Sequence, residues 1–297
     1  MGQKGIFRHN WLRRMLTRIV CLWNHTSKGR TLQMDFYWRA FDNLPDAFDG
    51  YRIVQITDLH GRMFGANQQT LIRKVAQQKP NLILITGDMM EELYEGQERR
   101  AVRALYKGLQ ALAPCFAILG NHEVRSEYLA EILSDLSCSR VQLLRNESVL
   151  LLRQGGQIRL SGLETGLTSG LRKDAQDPEG IEDTLSQMFP RRPQDHVFTV
   201  LMAHKPEKIH LYSRHDIDLV FSGHAHGGLM KLGFGQRGLL APGQGIFPKY
   251  VQGTYEKDGT YMIVGRGLGG PRIGIPPEIV TVELHVKKPK GSGKNAV

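Results

Sequence analysis

Between Tyr51 and Leu119 short apolar runs alternate with stretches of helical period. Arg52–Thr57, Leu82–Thr86 and Phe116–Leu119 are rich in Ile, Val and Leu, the pattern of strands buried on both faces. Asn67–Gln78 and Glu98–Leu112, which lie between them, repeat apolar residues at helical spacing. This βαβα rhythm predicts an α/β protein with crossover helices. The second half reads differently. Ser148–Arg153 and Gln157–Ser161 flank Gln154-Gly155-Gly156, a hairpin signal. Val197–Ala203 and Ile217–Phe221 have the pattern of further buried strands, and the polar stretch Thr165–Asp195 contains one short helical pattern, Pro178–Phe189. Gly245–Glu256, Gly259–Val264 and Ile279–Val286 are expected as the late strands of a second sheet. The predicted class is α/β, a four-layer sandwich of two mixed β-sheets flanked by helices.

The first residues depart from this pattern. Trp11, Leu12, Met15, Leu16, Ile19, Val20, Leu22 and Trp23 recur at helical spacing, with Arg13, Arg14 and Arg18 between them. Two readings stand side by side. Residues 8–23 make peripheral contact with a membrane interface, each cation contributing about 1 kcal/mol near an anionic leaflet, or the helix packs on the domain. Arg18 interrupts the apolar region a signal peptide needs, and no stretch approaches the roughly 18 apolar residues of a spanning helix. The chain therefore divides into a basic amphipathic segment 1–34, a folded domain 35–286 and a disordered basic tail 287–297. The expected location is cytoplasmic, or peripheral at the inner face of the cell membrane.

Charge sharpens this division. The 297-residue chain carries a formal net charge of +10. Residues 1–30 hold seven Lys/Arg and no acid, and residues 286–297 hold four Lys and no acid. The span 31–285 is left with 28 basic and 29 acidic residues, so a basic groove through the fold, and with it nucleic-acid binding, is disfavoured. Cys21, Cys115 and Cys138 are an odd number without CxxC spacing, which fits isolated thiols rather than a disulfide framework.

The chemistry lies at strand ends. Five segments place Asp, Asn or His directly after an apolar run: Ile56-Thr57-Asp58-Leu59-His60, Thr86-Gly87-Asp88, Leu119-Gly120-Asn121-His122-Glu123, Met202-Ala203-His204 and Ser222-Gly223-His224-Ala225-His226. In open α/β sheets, sites form in the crevice beyond the carboxyl ends of strands. Asp58 and His60 stand two apart and are expected on one face, as are His224 and His226. Gly87, Gly120 and Gly223 precede polar residues, where a small residue permits close approach. The donors are carboxylate, imidazole and amide without thiolate, a set suited to Mn, Fe or Zn. Any one of these residues alone is ordinary. His9, His25, His196, His210, His215 and His285 lack this context and are assigned to surface or packing.

The segments, in this order, resemble the signature of the calcineurin-like metallophosphoesterases, D-x-H, G-D, G-N-H-[DE], H and G-H-x-H, over roughly Tyr51–His285. Asp58-Leu59-His60-Gly61, Gly223-His224-Ala225-His226-Gly227-Gly228 and Gly265-Arg266-Gly267-Leu268-Gly269 followed by Pro276-Pro277-Glu278 are similar to the bacterial branch with UDP-2,3-diacylglucosamine pyrophosphatases and membrane-associated phosphodiesterases. The resemblance implies two divalent metal ions: Asp58, His60 and His226 on one, Asn121, His204 and His224 on the other, and Asp88 bridging. It implies His122 as catalytic, aided by Glu123, which stands where many members have Asp. Two such cations, roughly 3.5–4 Å apart, neutralise phosphoryl oxygens and activate water for in-line displacement, so no protein nucleophile is expected.

The expected function is hydrolysis of a phosphodiester or pyrophosphate, with a membrane lipid or nucleotide-linked lipid as the substrate an interfacial helix would favour. A soluble phosphodiesterase or phosphomonoesterase acting on small esters or nucleotides stays open. A non-catalytic scaffold of the same fold is disfavoured, because every expected ligand position is filled. Arg62, Met63, Phe64, Arg125 and Phe247-Pro248-Lys249-Tyr250 are candidates for entrance or headgroup contacts, and equally for ordinary surface.

Overall fold

The structure, a computed structural model, describes residues 31–90, 96–164, 178–190, 196–230, 238–270 and 272–288. The amphipathic pattern at 8–23 and most of the basic tail lie outside the described residues. Among those described, no helix is long and apolar enough to cross a membrane.

In chain order the strands are β1 Gln33–Phe41, β2 Tyr51–Ile56, β3 Leu82–Ile85, β4 Cys115–Ala117, β5 Gln142–Leu143, β6 Glu147–Arg153, β7 Gly156–Leu163, β8 Thr199–Ala203, β9 Leu219–Ser222, β10 Leu240–Ala241, β11 Gly245–Ile246, β12 Gly253–Lys257, β13 Thr260–Val264 and β14 Glu278–Val286. They form two six-stranded sheets, ordered β1-β14-β2-β3-β4-β5 and β12-β13-β9-β8-β7-β6, and a small β10-β11 hairpin. In the first sheet β2, β3, β4 and β5 are parallel, and β14 runs antiparallel to β2. In the second, β7, β8, β9 and β13 are parallel, with β6 and β12 antiparallel at the edges.

The two-residue period of the strands builds the layers. Ile53, Leu82 and Leu84 face inward and meet Leu160, Val200, Met202 and Phe221 between the sheets. Their neighbours Val54, Ile83 and Ile85 face outward, against Leu71, Val75, Val102 and Leu105 of helices Gln69–Gln77 and Gly96–Gln110. On the far side Leu201, Ala203 and Val220 pack with Leu185 of helix Pro178–Met188 and with Ile209 and Tyr212. The expected four-layer α/β sandwich is what the chain forms. The β6–β7 hairpin turns at Gln154 and Gly155, whose φ values of 45° and 83° match a type I′ turn.

Two expectations need correction. β14 does not join the second sheet; it lies in the first, with Val282 opposite Ile53. Its alternating residues are buried on both faces, which marks an interior strand without saying in which sheet. The run Gly245–Glu256 is not one strand either, but is divided between β11 and β12. β1 was not foreseen. It begins at Gln33, so a domain boundary between residues 34 and 35 falls inside a strand, and it leaves Met34, Phe36 and Trp38 exposed, contrary to the burial that marks a strand in sequence.

Candidate metal centre

Parallel strands from both sheets end at one edge of the sandwich, and the chain turns sharply there. Asp58, His60, Asp88, His224 and His226 all adopt left-handed backbone with φ between 48° and 68°. Such conformations cost about 1–3 kcal/mol each in non-glycine residues and cluster where function requires them. Asp58 and His60 therefore do not share a face by strand alternation, since β2 ends at Ile56; the turns bring them together. A Cβ on Gly120 would collide with the Asp88 carboxylate, and one on Gly223 with Thr57 and Asp58. These two glycines let loops from different strands come into contact.

The loops gather three overlapping groups whose donor atoms lie within 4.8 Å of one another: Asp58, His60 and His226; Asp88, His204 and His224; and His60, Asp88 and His122. The third joins the first two. Sheet one supplies Asp58, His60, Asp88 and His122, and sheet two supplies His204, His224 and His226. The His60 and His226 rings lie 4.9 Å apart, as do those of His204 and His224, and the His122 ring stands perpendicular to His60 at 4.8 Å.

Hydrogen bonds orient the donors. His204 Nδ1 donates to the Thr86 carbonyl at 2.7 Å, which turns Nε2 toward Asp88 Oδ2 at 3.0 Å. Asp58 accepts from Thr57 Oγ1 at 2.7 Å and from the His224 amide at 3.0 Å. Asp88 Oδ1 accepts from the His122 amide at 2.9 Å. Behind them Gln55 Nε2 donates to Thr86 Oγ1 and to the Ser222 carbonyl, each at 2.8 Å, tying the two sheets together directly beneath the site.

Burial and the donors' own contacts set the electrostatics of the site. Asp58, Asp88 and His204 are at most 1% exposed. Burial raises the Asp58 carboxyl above its ordinary range. At Asp88 burial pulls the same way, but His204 outweighs it and holds the carboxyl well below that range. His204 in turn is pushed up to about 10, because Asp88 overcomes the effect of burial. Burial, reinforced at His224 by His204 and at His226 by His60 and Arg272, drives both imidazoles well below their ordinary value, which leaves them neutral with a lone pair to offer. Asn121 Oδ1 is buried with no hydrogen-bond partner among the described residues. Two buried carboxylates, neutral imidazoles and an orphaned amide oxygen fit divalent cations, for which such ligands must be deprotonated.

The Glu123 carboxylate, beside His122 in sequence, accepts three backbone N–H groups, from Asp88 and Gly120 at 2.9 Å and from Met89 at 2.5 Å. Burial and the nearby Asp88 push it up to about 7, against the pull of the Met89 amide. It is a positioning residue that fastens the Asp88 loop to the Asn121–His122 loop. Of the entrance candidates, Arg62 is buried rather than ordinary surface, donates to the Leu268 carbonyl at 3.1 Å and lies 4.9 Å from the Phe64 ring. Arg125 is exposed. Of the histidines set aside, His196 pairs with Asp218, His215 with Glu182 and His285 with Asp49 and Glu283; His210 meets the Glu207 carbonyl, and His9 and His25 lie outside the described residues.

Sequence reasoning missed the support. Thr57 and Gln55 carry no motif of their own, although polar residues within the apolar run Arg52–Thr57 were a signal. Arg272 is buried, with Nη1 2.9 Å from the Gly267 carbonyl, a second bond to the Gly269 carbonyl and Nη2 3.5 Å from His226 Nδ1. It holds the 267–270 loop against the site, where Gly269 N donates to Asp58 O at 2.6 Å.

Residues 51–228, more than half of the chain, match the family model described as calcineurin-like phosphoesterase. An uncharacterized metallophosphoesterase of Bacillus subtilis, YkuE, is 30% identical over 248 residues, covering 81% of each chain. One from Campylobacter jejuni, Cj0846, is 29% identical over 253 residues, 82% of this chain but 62% of that protein. The UDP-2,3-diacylglucosamine pyrophosphatase LpxG of Chlamydia trachomatis is 28% identical over 294 residues, 80% of this chain and 85% of that one. With the sandwich, the donor clusters and this match together, the chain belongs to the calcineurin-like phosphoesterases and is a phosphoester hydrolase.

Proposed function

We propose that the protein hydrolyses a phosphodiester or pyrophosphate bond with a dinuclear metal centre held by Asp58, His60 and His226 on one side, Asn121, His204 and His224 on the other, and Asp88 between. The single observation that carries this is the overlap of three donor groups through His60 and Asp88, drawn from both sheets. When bound, two divalent ions supply charge neutralisation and an activated water for in-line displacement. The chain's own groups do the rest. His204 is fixed by the Thr86 carbonyl with Nε2 toward Asp88 Oδ2, so that both would offer donor atoms to one cation. His122, partly exposed and beside His60, is the group able to touch a phosphoryl oxygen and give a proton to the leaving oxygen. The close approach of Gly87 to Gly120 and the Glu123 bonds hold the loop that carries His122 against the Asp88 loop.

A lipid-linked diphosphate is the substrate class this reading favours, supported by the similarity to a pyrophosphatase that acts on a diacylated, nucleotide-linked sugar. The test is hydrolysis of a lipid-linked pyrophosphate and of an aryl phosphodiester by one preparation loaded with Mn, Fe or Zn, with metal content measured in parallel. His122→Ala is expected to keep its metal and lose most turnover, by about 10²–10⁴-fold for a proton-transfer group. Asp88→Asn is expected to lose both. Full activity in metal-free protein refutes the mechanism.

A further inference from the structure

β1 stands at the edge of the first sheet, and among the described residues its only strand partner is β14. Gln33 N donates to the Pro277 carbonyl at 2.9 Å, and the Phe41 carbonyl accepts from Lys287 N at 3.0 Å. Both bonds run to the β14 side, so the odd-numbered residues spend their backbone groups there. By alternation, Met34, Phe36, Trp38 and Ala40 aim N–H and C=O at the open side. β1, with nine residues, is the longest open edge of the two sheets; β6 has seven, β12 five and β5 two. It contains neither proline nor lysine, two residues that ordinarily blunt such an edge.

The strand is complementary to its own reverse. When β1 meets a second β1 antiparallel about Tyr37, Phe36 falls opposite Trp38, Asp35 opposite Arg39 and Met34 opposite Ala40. This register makes the outward-aimed residues the hydrogen-bonded pairs, with about eight new backbone bonds. A centre one residue earlier or later moves both charges opposite uncharged residues. On the inner face, each copy already pairs Asp35 with Arg266 at 2.9 Å and Arg39 with Glu256 at 2.8 Å. The new Asp35–Arg39 pairs join these, so charges of alternating sign line up across the contact. On the outer face Phe36 and Trp38 are 51% and 67% exposed. The Arg52 guanidinium lies 6.0 Å from the Phe36 ring, and the His285 ring meets Trp38 edge-on at 6.0 Å, which holds both aromatics beside the edge. Aromatic pairs and opposite charges directly across antiparallel strands each stabilise the pairing.

We propose that β1 is an interface between two copies of this chain, which pair antiparallel about Tyr37 and join their first sheets edge to edge. Any other partner would have to bring a strand of matching pattern; the second copy carries it. The axis relating the copies is perpendicular to the sheet, so the outer faces stay on one side while the strand directions reverse. Gln33 lies opposite Glu278, and Val280 opposite Gln55, so β1 begins at the end of the sheet where β2 delivers Asp58. The two metal centres therefore open at opposite ends of the dimer, each complete in its own copy.

The test is sedimentation equilibrium of the full chain, with amide hydrogen exchange followed residue by residue. The parent is expected to be a dimer in which the Phe36, Trp38 and Ala40 amides are protected. Replacing Phe36 and Trp38 together by Ser is expected to raise the dissociation constant about a hundredfold, at about tenfold for each of the two aromatic pairs. The same amides then exchange freely. Phe36→Lys, at a position exposed in the single copy, should also dissociate the dimer by placing a strongly hydrated cation in the joint. Circular dichroism of both variants should match the parent, since neither side chain is part of a core. Leu152→Ser, at an exposed apolar position on the open edge β6, leaves the dimer intact. The proposal is overturned by a monomeric parent, whether or not those amides are protected, or by a dimer that survives the β1 substitutions. A dimer whose Phe36 and Trp38 amides exchange freely is joined elsewhere and overturns it too, as does loss of the dimer in Leu152→Ser.

Discussion

Glu123→Gln isolates the fastening of the two ligand loops from the chemistry they carry. In the parent, Glu123 Oε2 accepts from the Asp88 and Gly120 amides and Oε1 from the Met89 amide. A glutamine amide has one acceptor oxygen. Its best placement keeps the Asp88 and Gly120 bonds and turns its NH2 toward the Met89 N–H, leaving that buried N–H and the amide's own NH2 without an acceptor. Such a group costs about 1–3 kcal/mol. Loss of the buried negative charge beside Asp88 offsets part of this, so the lower half of the range is expected. For a domain of this size that is a fall in Tm of about 2–6 °C. The measurement is thermal unfolding of chelator-treated protein, followed by kcat and KM for the aryl diester after metal loading. Because the Glu123 carboxylate is taken up by three backbone amides, kcat should fall about tenfold through misplacement of His122 while KM and metal content hold. Glu123→Asp, which keeps both oxygens but shortens the reach, should recover part of the kcat. A Glu123→Gln protein with unchanged Tm and kcat would show that the three bonds do not hold the loops, and the positioning role would fall.

Two further outcomes follow from buried titratable groups outside the donor clusters. Glu278, ion-paired with Arg266, is pushed by burial from 4.5 up to about 7. A carboxyl raised on folding binds its proton more tightly in the folded state, so its contribution to stability falls as pH rises from about 4.5 to about 7. The unfolding free energy of the parent relative to Glu278→Gln should decline across that window, and a difference independent of pH refutes the assignment. Burial likewise pushes the Cys115 thiol up to about 12, which leaves about one thiolate in ten thousand at pH 8. Iodoacetamide followed by peptide mapping should label the exposed Cys138 in the native protein and spare Cys115; equal labelling of both would show that Cys115 is accessible.

The parts of this molecule that sequence discloses are those where one short segment carries the whole message. Ile83 and Ile85 face one core and Leu82 and Leu84 the other, so an uninterrupted apolar run was enough to mark β3 as an interior strand. The donors stood out because each follows such a run directly. What stayed hidden depends on partners far away in the chain. The sheet to which β14 belongs is decided by the loop 265–277, which bonds to Ser222 through Gly265 and to Asp58 through Leu268 before crossing over. The positive φ of Asp58 and His60 leaves no trace in residue type, since neither is glycine. Glu123 reads as an aid to His122 because of the resemblance to the family's G-N-H-[DE] segment. Its bonds reach 34 and 35 residues back along the chain instead.

The position of β14 bears on how the protein is made. This strand sits between β1 and β2, although more than 220 residues separate it from β2, with Val280 opposite Gln55. A ribosome releasing the chain from its amino end has produced every proposed ligand, through His226, before the strand that closes the first sheet exists. Until then β1 has no neighbour and β2 keeps an open side, the kind of unpaired edge that recruits other chains. Long sequence separation of this kind slows closure. The nascent enzyme thus passes through a stage in which the ligands are synthesised but the scaffold is still split, and a chaperone that shields strand edges has its work at that stage.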